Sequence, residues 1–566
     1  MPARRLLRRL RNITLVLIAL VAIGVAWFAI AVHMSAPLAE GESDQVPQRT
    51  LGTDGRWHVG RNWLGRDRLG LFEAYIEGDD LERGLAYGAL ATELIERQEA
   101  IFVGRLREMV PGAVRLDYLK YFTAWYNRDL DAHVPREYLR EIYGVSRSFA
   151  DGYDFVGPKY MRALNYHAAH DIGHALTDLA MVGCTSFASK GTRSADGQLL
   201  VGRNFDFWMG DDFAREKLIL FVRPKTGLPH AIVTWGGFMG AASAMNVEGL
   251  TVTINAARSE LPYGARTPIA ILARRIVQHA ATIDEAIAIA EQHEVFVSES
   301  MLIASARDGR AVIVEKAPDG MDVFDTGDDL VVCANHYQSQ RFRESAANTA
   351  NIRESDSMSR FRRMQQLIDS VGALDPATAA ALLRDRHGLD GAPVGLGNPM
   401  AINQLIAHHA VIMRPEERRL WVSAWPYQIG AFACYDLRDV FARCAAGDSL
   451  TIIRDTARTI GPDPFLATPA FAEQQWWQQQ RTRIATSVLK GDPIALSPDD
   501  EARFIAAAPD SYITHMALGD LQRALRKHAT AAKHYTTALQ LPVSSLKEHE
   551  RLEERLRECT LAAAKP

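Results

Sequence analysis

With 566 residues, 48% of them hydrophobic and 23% charged, the chain is too long for one ordinary domain and too apolar to be disordered. A formal net charge of -4 gives no electrostatic basis for nucleic-acid binding. Cys184, Cys333, Cys434, Cys444 and Cys559 are too few and too scattered for a disulfide scaffold, although Cys434 and Cys444 lie close enough in sequence to pair.

Arg4, Arg5, Arg8, Arg9 and Arg11 precede an uncharged run from Ile13 to Val32. At helical rise such a run spans roughly 30 Å, about a bilayer core. Residues 1–36 therefore read as an uncleaved membrane anchor. A cleaved signal peptide is the rival, but its apolar region is shorter, and His33-Met34-Ser35-Ala36-Pro37 makes a poor cleavage site. The arginines stay cytoplasmic, so everything after residue 36 lies on the extracytoplasmic side, periplasmic or extracellular.

Residues 37–60 are polar and rich in Gly, Ser, Asp and Pro, and read as a tether. From 61 to 183 the period is mostly helical: Leu81 to Met109, Pro135 to Tyr143, and Tyr160 to Leu179. In the last of these, His167, His170 and His174 share one face with Asp171 close by. His170 and His174 have the i, i+4 spacing of a zinc-binding helix. Asp171 stands where a metalloprotease carries glutamate, and no further ligand follows. No metal or cofactor is assigned, and the histidines read as lining the helix that leads to Cys184.

At Cys184 the texture changes. Short β-rich segments follow over Thr185–Ser189, Leu199–Arg203, Leu218–Val222, His230–Trp235 and Leu250–Asn255. Helical stretches over Pro268–His279 and Ile283–Gln292 come next. Strands resume over Met301–Ala306, Ala311–Lys316 and Leu330–Cys333, with Asp308-Gly309 as a hairpin turn. A helical region over Ser359–Leu383 precedes a last hairpin around Pro415-Glu416-Glu417. This segregation predicts sheets layered with helices over 184–435. Residues 436–566 are helical again. There Leu518-Gly519, Ala531, Tyr535 and Ala538 fall on tetratricopeptide spacing. One repeat cannot bury both of its faces, so this tail is expected to pack on the main body or to be a degenerate hairpin, with a protein partner as the alternative.

The chemistry centres on Gly183-Cys184-Thr185-Ser186-Phe187, where helix gives way to strand. A lone cysteine in such a place is ordinarily a small core residue. Gly183 changes that reading, because a residue without a side chain lets a nucleophile approach its carbonyl. Downstream, Gly202-Arg203-Asn204-Phe205-Asp206 ends a strand that pairs back through the Asp196-Gly197 turn. That hairpin returns Arg203 and Asp206 to the cysteine, arginine to favour thiolate and aspartate to hold an ammonium.

Gly-Cys-Thr-Ser-Phe followed by Asp-Gly-x-x-x-x-Gly-Arg-Asn-x-Asp resembles the penicillin acyltransferase family of N-terminal nucleophile (Ntn) hydrolases. The wider group includes the bile-salt (choloylglycine) hydrolases and acid ceramidase. Further stretches agree in order: Met245 to Asn255, Ser298-Glu299-Ser300, Asp308 to Lys316, Ala334-Asn335-His336-Tyr337, Ser359-Arg360-Phe361 and Arg419 to Val422. The resemblance implies an α+β fold, a four-layer αββα sandwich, and self-cleavage of the Gly183–Cys184 bond. It implies Cys184 as nucleophile with its freed α-amine as base, Arg203 beside the sulfur, and Asp206 orienting the amine. It implies Asn255 in the oxyanion hole, Asn335 at the amine and substrate carbonyl, and Arg360 as the late arginine of the set. An α-amine titrates near 8, close to the ideal for a base at neutral pH. The competing reading is plainer: Arg203 and Asp206 as a surface ion pair, Asn255 and Asn335 as strand-end turn residues.

The expected reaction is hydrolysis of a linear N-acyl amide through a Cys184 acyl-enzyme, with acyl transfer to an amine as the alternative. A non-catalytic, membrane-anchored binding protein using the helical tail is a second alternative, and a papain-like enzyme using His336, without self-cleavage, a third. His387, His408 and His409 are expected to be structural. The anchor and the tail are additions to the family pattern.

Overall fold

The computed structural model describes residues 2–109, 113–168, 183–259, 264–447 and 452–564. Helix α1 (Pro2–Ala31) contains a stretch, Arg8–Ala31, of mean hydropathy 2.8 and with none of it buried, long and apolar enough to be a membrane anchor or a signal sequence. Near its end Phe28 stacks on Trp125 of a second helix, Ala113–Tyr126, whose Tyr121 and Phe122 are exposed.

Among the described residues two sheets form the body. The first has 11 strands there, beginning with β1 (Thr50–Leu51), β2 (Trp57–Val59), β3 (Asn62–Arg66) and β4 (Phe72–Gly78). The chain then crosses to the second sheet for β5 (Thr185–Gly191) and β6 (Gly197–Phe205). It returns to the first for β7 (Leu218–Pro224), β8 (His230–Thr234), β9 (Ser243–Asn246), β10 (Leu250–Ala256), β11 (Glu299–Ser305), β12 (Arg310–Ala317) and β13 (Gly320–Phe324). The second sheet is completed by β14 (Leu330–Cys333), β15 (His409–Arg414), β16 (Arg419–Ser423), β17 (Phe432–Asp436) and β18 (Asp455–Ile460), in the order β14-β5-β6-β15-β16-β17-β18.

The cores between these sheets and the helices define the layers. Ala188, Val201, Val411 and Met413 of the second sheet meet Ile219, Phe221, Leu302 and Ile313 of the first in one buried cluster. The opposite face of the first sheet, with Leu220, Val222, Val252 and Ile254, packs on helices Asp80–Leu90, Arg136–Ser146 and Ile269–His279. The outer face of the second, with Phe187, Leu200, Ala410 and Ile412, packs on helices Ser357–Val371 and Pro376–Leu383. Period-2 alternation along β5, β6 and β15 sends one set of side chains to each core. The result is the expected α+β, four-layer αββα sandwich.

Three boundaries differ from expectation. The tether, 37–60, ends in β1 and β2, and the supposedly helical stretch 61–183 begins with β3 and β4. In β4 the residues Glu73, Ala74, Tyr75 and Ile76 are all buried, and the strand pairs parallel with β7. A strand covered on both faces shows no alternation to announce it. The sandwich also continues past residue 435: Leu437, Val440 and Phe441 enter the inter-sheet core, and β18 extends the sheet. Cys434 and Cys444 belong to different cores, and all five cysteines are free and buried.

The tail from 469 onward has its own core around Trp477, Phe504, Leu518, Ala531 and Tyr535. It packs on the body, where Gln478 Nε2 donates to the Leu405 carbonyl at 3.2 Å and Asn398 Nδ2 to that of Pro542 at 3.0 Å.

Candidate active site

The β5–β6 hairpin builds the site. Ser186 lies opposite Arg203 and Thr185 opposite Asn204, with the Asp196-Gly197 corner at the far end. Gly202 faces Phe187, and a Cβ there would meet the ring at 2.5 Å, so the glycine admits the ring across the strand. Past the last paired residues the Gly183 N–H donates to the Asp206 carbonyl at 3.0 Å, which carries the register up to the Gly183–Cys184 peptide. Cys184 and Arg203 thus share the inter-sheet face of the hairpin.

Arg203 is fully buried and its fork is used on both arms. Nη1 donates to the Ala242 carbonyl at 2.7 Å and to Ser243 Oγ at 2.5 Å. Nη2 donates to the Ile254 carbonyl and to Cys184 Sγ, the latter at 3.6 Å. Burial pushes the Cys184 thiol up to about 11, with Arg203 pulling the other way. The sulfur is therefore a neutral thiol with a cation already in place. Behind Ser243 a second set of polar groups follows: His409 Nε2 lies 2.8 Å from Ser243 Oγ, and its Nδ1 lies 2.8 Å from Nδ1 of His408. Burial holds both histidines well below the ordinary range, so they are neutral.

Asp206 is the anomaly. Its side chain is fully buried, and among the described residues neither carboxylate oxygen has a hydrogen-bond partner. Burial pushes it up to about 8 against the opposing pull of Arg360 and Arg203. It makes no ion pair with Arg203, and both are buried, so the plain surface-pair reading fails.

Arg360, on helix Ser357–Val371, reaches in from the outer helical layer. Nη1 donates to the Cys184 carbonyl at 2.6 Å and to Thr185 Oγ1 at 2.9 Å. Nη2 donates to Asn335 Oδ1 at 2.8 Å and to Asp356 Oδ1 at 2.8 Å. Asn335 Nδ2 donates to the Ala256 carbonyl at 2.9 Å. Asn255, in β10, accepts from Ser186 Oγ at 3.2 Å, and its amide donates to the carbonyls of Cys333 and Ala334 at 3.2 Å each. The six residues named from sequence thus converge on one end of the sandwich. The Asn255 amide, though, is turned to backbone carbonyls rather than to the sulfur.

His336 and His167 have partners other than Cys184, Arg203 and Asp206. His336 Nδ1 meets Ser357 Oγ at 2.8 Å, and burial pushes the ring down to about 4. His167 accepts from the Met239 N–H at 2.8 Å through Nε2 and donates from Nδ1 to the Ala163 carbonyl at 2.7 Å, which satisfies both nitrogens within the core. His170, Asp171 and His174 lie outside the described residues. Two clefts, of about 460 and 800 Å³, are lined by neither Cys184, Arg203 nor Asp206.

Sequence reasoning missed Gln404 and Ser243. Gln404 Nε2 donates to the Gly183 carbonyl at 2.9 Å. Neither residue belongs to a motif, and only the folded chain brings them to the hairpin.

Residues 192–392 match the family model described as acyl-coenzyme A:6-aminopenicillanic acid acyl-transferase. The resemblance read from the motifs is therefore shown over that span, which begins after Cys184 and includes Arg203, Asp206, Asn255, Asn335 and Arg360. An uncharacterised protein of Archaeoglobus fulgidus is 23% identical over 359 residues, 56% of this chain and 58% of that protein. The chain thus spans a little over half the length of that relative. Among solved structures, an N-acylethanolamine-hydrolyzing acid amidase ortholog of Caenorhabditis elegans is 15% identical, over 41% of this chain and 93% of that one, with a TM-score of 0.31. A mutant of the conjugated bile acid hydrolase of Clostridium perfringens is 12% identical, over 45% of this chain and 92% of that one, with a TM-score of 0.30.

Proposed function

We propose that the chain is an Ntn amidohydrolase that cuts itself between Gly183 and Cys184 and then opens a linear N-acyl amide through a Cys184 acyl-enzyme. The observation that carries this is Asp206: a buried carboxylate without a partner among the described residues, beside a peptide bond whose cleavage would create an ammonium. A free α-amine there gives Asp206 a charged donor and gives the thiol a base on its own residue. Arg203 stabilises the sulfur as thiolate, and Arg360 with Asn335 fixes the Cys184 backbone so that the amine and sulfur keep one orientation. Asn255 is the side-chain donor for the substrate oxyanion, which requires its amide to turn from the Cys333 and Ala334 carbonyls.

The acyl group is apolar on this reading. Phe205, next to the nucleophile across the hairpin, begins an aromatic run through Phe207 and Trp235 to Phe238, with stacked rings 4.2 to 6.2 Å apart. Anchoring through α1, with the body on the extracytoplasmic side, fits an amide drawn from the membrane surface. Transfer of the acyl group to an amine is the second reading, favoured by the acyl-transferase description of the matched family.

The test is a gel of the purified protein beside Cys184→Ala, with the N-terminus of the larger fragment read by mass spectrometry. Two fragments from the normal chain, one beginning at Cys184, and a single uncut band from the variant are expected. An uncut normal chain with full amidase activity would refute self-cleavage and return the papain-like reading.

A further inference from the structure

Gly183 holds the carbonyl that self-cleavage must attack, and one buried side chain addresses its oxygen. Gln404 is 4% exposed and donates from Nε2 to the Gly183 oxygen at 2.9 Å, across 221 residues of sequence. A Cβ at Gly183 would meet the Gln404 carboxamide at 2.4 Å. The glycine therefore makes room for this amide, in addition to easing approach to its carbonyl.

The loop that carries Gln404 is held on both sides. The Asn403 N–H donates to the Asp385 carbonyl at 2.8 Å, and Asn403 Oδ1 accepts from the Leu405 N–H at 3.0 Å. Leu405 sits at φ 54°, in the left-handed region that a leucine occupies only under constraint. The constraint includes the tail, because Gln478 donates to the Leu405 carbonyl. Residues 401–405 of this loop are buried, so the strained leucine and its brace lie inside the packed molecule beside Gln404.

We propose that Gln404 is the oxyanion donor of the self-cleavage step, and that the C-terminal helical tail braces the loop that presents it. The proposal rests on the self-cleavage reading. Cys184 Sγ adds to the Gly183 carbonyl carbon, and the oxygen of the tetrahedral adduct takes up negative charge facing the Gln404 amide. The C–N bond then breaks, the thiol proton ends on the Cys184 nitrogen, and a thioester joins Gly183 to Sγ. Water adds to the thioester, which releases the thiol and leaves a carboxylate on Gly183. A donor already aimed at the oxygen costs no reorganisation when the charge forms, and one such donor is worth roughly 100- to 1,000-fold in rate.

The experiment follows cutting after synthesis of the full chain in a cell-free system with detergent. It compares the normal protein with Cys184→Ala, Gln404→Met and Gln404→Leu. The expected result is rapid cutting of the normal chain, none in Cys184→Ala, and at least about 100-fold slower cutting in both Gln404 variants. Their melting temperatures should match that of Cys184→Ala. Cutting of Gln404→Met at the normal rate overturns the proposal while self-cleavage stands, and so does slow cutting that tracks a fall in melting temperature. A normal chain that never cuts overturns both.

Discussion

In a chain that cannot cut itself, Cys184→Ala, the further change Asp206→Asn is expected to stabilise the fold, and by more at higher pH. The Asp206 carboxyl is pushed up to about 8 from an ordinary 3.8 by burial, with no hydrogen-bond partner among the described residues. The folded chain keeps the proton and the unfolded chain releases it. The contribution of the group to stability is thus fully present below about pH 4 and is lost as the pH rises toward 8. Each pH unit in that window is worth about 1.4 kcal/mol, so the Asn variant gains roughly 3 kcal/mol on its parent between pH 5 and pH 7.5. Urea denaturation of the two detergent-solubilised chains at those two pH values measures the gap. If the gap stays constant or narrows, Asp206 is ionised and paired in the uncut chain, and the case for it as a waiting counter-ion fails. On the proposed reading the sign reverses once the chain is cut: the new ammonium would hold Asp206 ionised, so Asn is expected to cost stability and to abolish amide turnover.

Three further outcomes follow from the same geometry. Gly183→Ala should slow self-cleavage far more than it lowers the melting temperature, since its Cβ would displace the Gln404 amide; cutting at the normal rate counts against that contact. Arg203→Lys should lower kcat by roughly 30- to 150-fold, or 2–3 kcal/mol, because one ammonium cannot serve Ala242, Ser243, Ile254 and the sulfur together. Stopped-flow turnover on a fluorogenic N-acyl amide reads it, and an unchanged kcat would remove Arg203 from the site. His336→Gln should leave cutting and turnover near normal and the rate profile unaltered near pH 6–7, because the ring is pushed down to about 4 and is neutral there. A fall of roughly 100-fold or more, as loss of a general base brings, would revive the papain-like reading.

What the sequence made legible was local. Cys184, Arg203 and Asp206 come together through one hairpin, and the alternation of β5 and β6 with the Asp196-Gly197 turn specifies that hairpin's register. The four layers follow from strands that alternate and helices that keep their period. β3 and β4 escaped because burial on both faces erases alternation, so the stretch before Cys184 passed for helix. Gln404 escaped for a different reason. It lies in an irregular loop between Pro376–Leu383 and β15, and only tertiary packing sets it against Gly183. Asn255, Asn335 and Arg360 were named through family resemblance. The hydrogen bonds from Arg360 to the Cys184 backbone, and the turn of the Asn255 amide toward carbonyls, have no trace in spacing or composition.

The distribution of unsatisfied polar atoms gives the site a direction. Arg203 Nε, both oxygens of Asp206 and His408 Nε2 are all buried without hydrogen-bond partners among the described residues, near one end of the sandwich. Each such atom costs about 1–3 kcal/mol relative to a satisfied one, and the hydrophobic core between the sheets offsets that cost. Leu405 adds backbone strain beside the same peptide bond. On the proposed reading, cutting relieves part of this load, because an α-ammonium brings donors to Asp206 and the freed Gly183 end no longer has to sit under Gln404. The unsatisfied polar atoms and the strain are then held by the packing of the intact chain and would be relieved in the direction of the cut one. On that reading the same Asp206 that destabilises the intact chain at neutral pH becomes the group that holds the catalytic base.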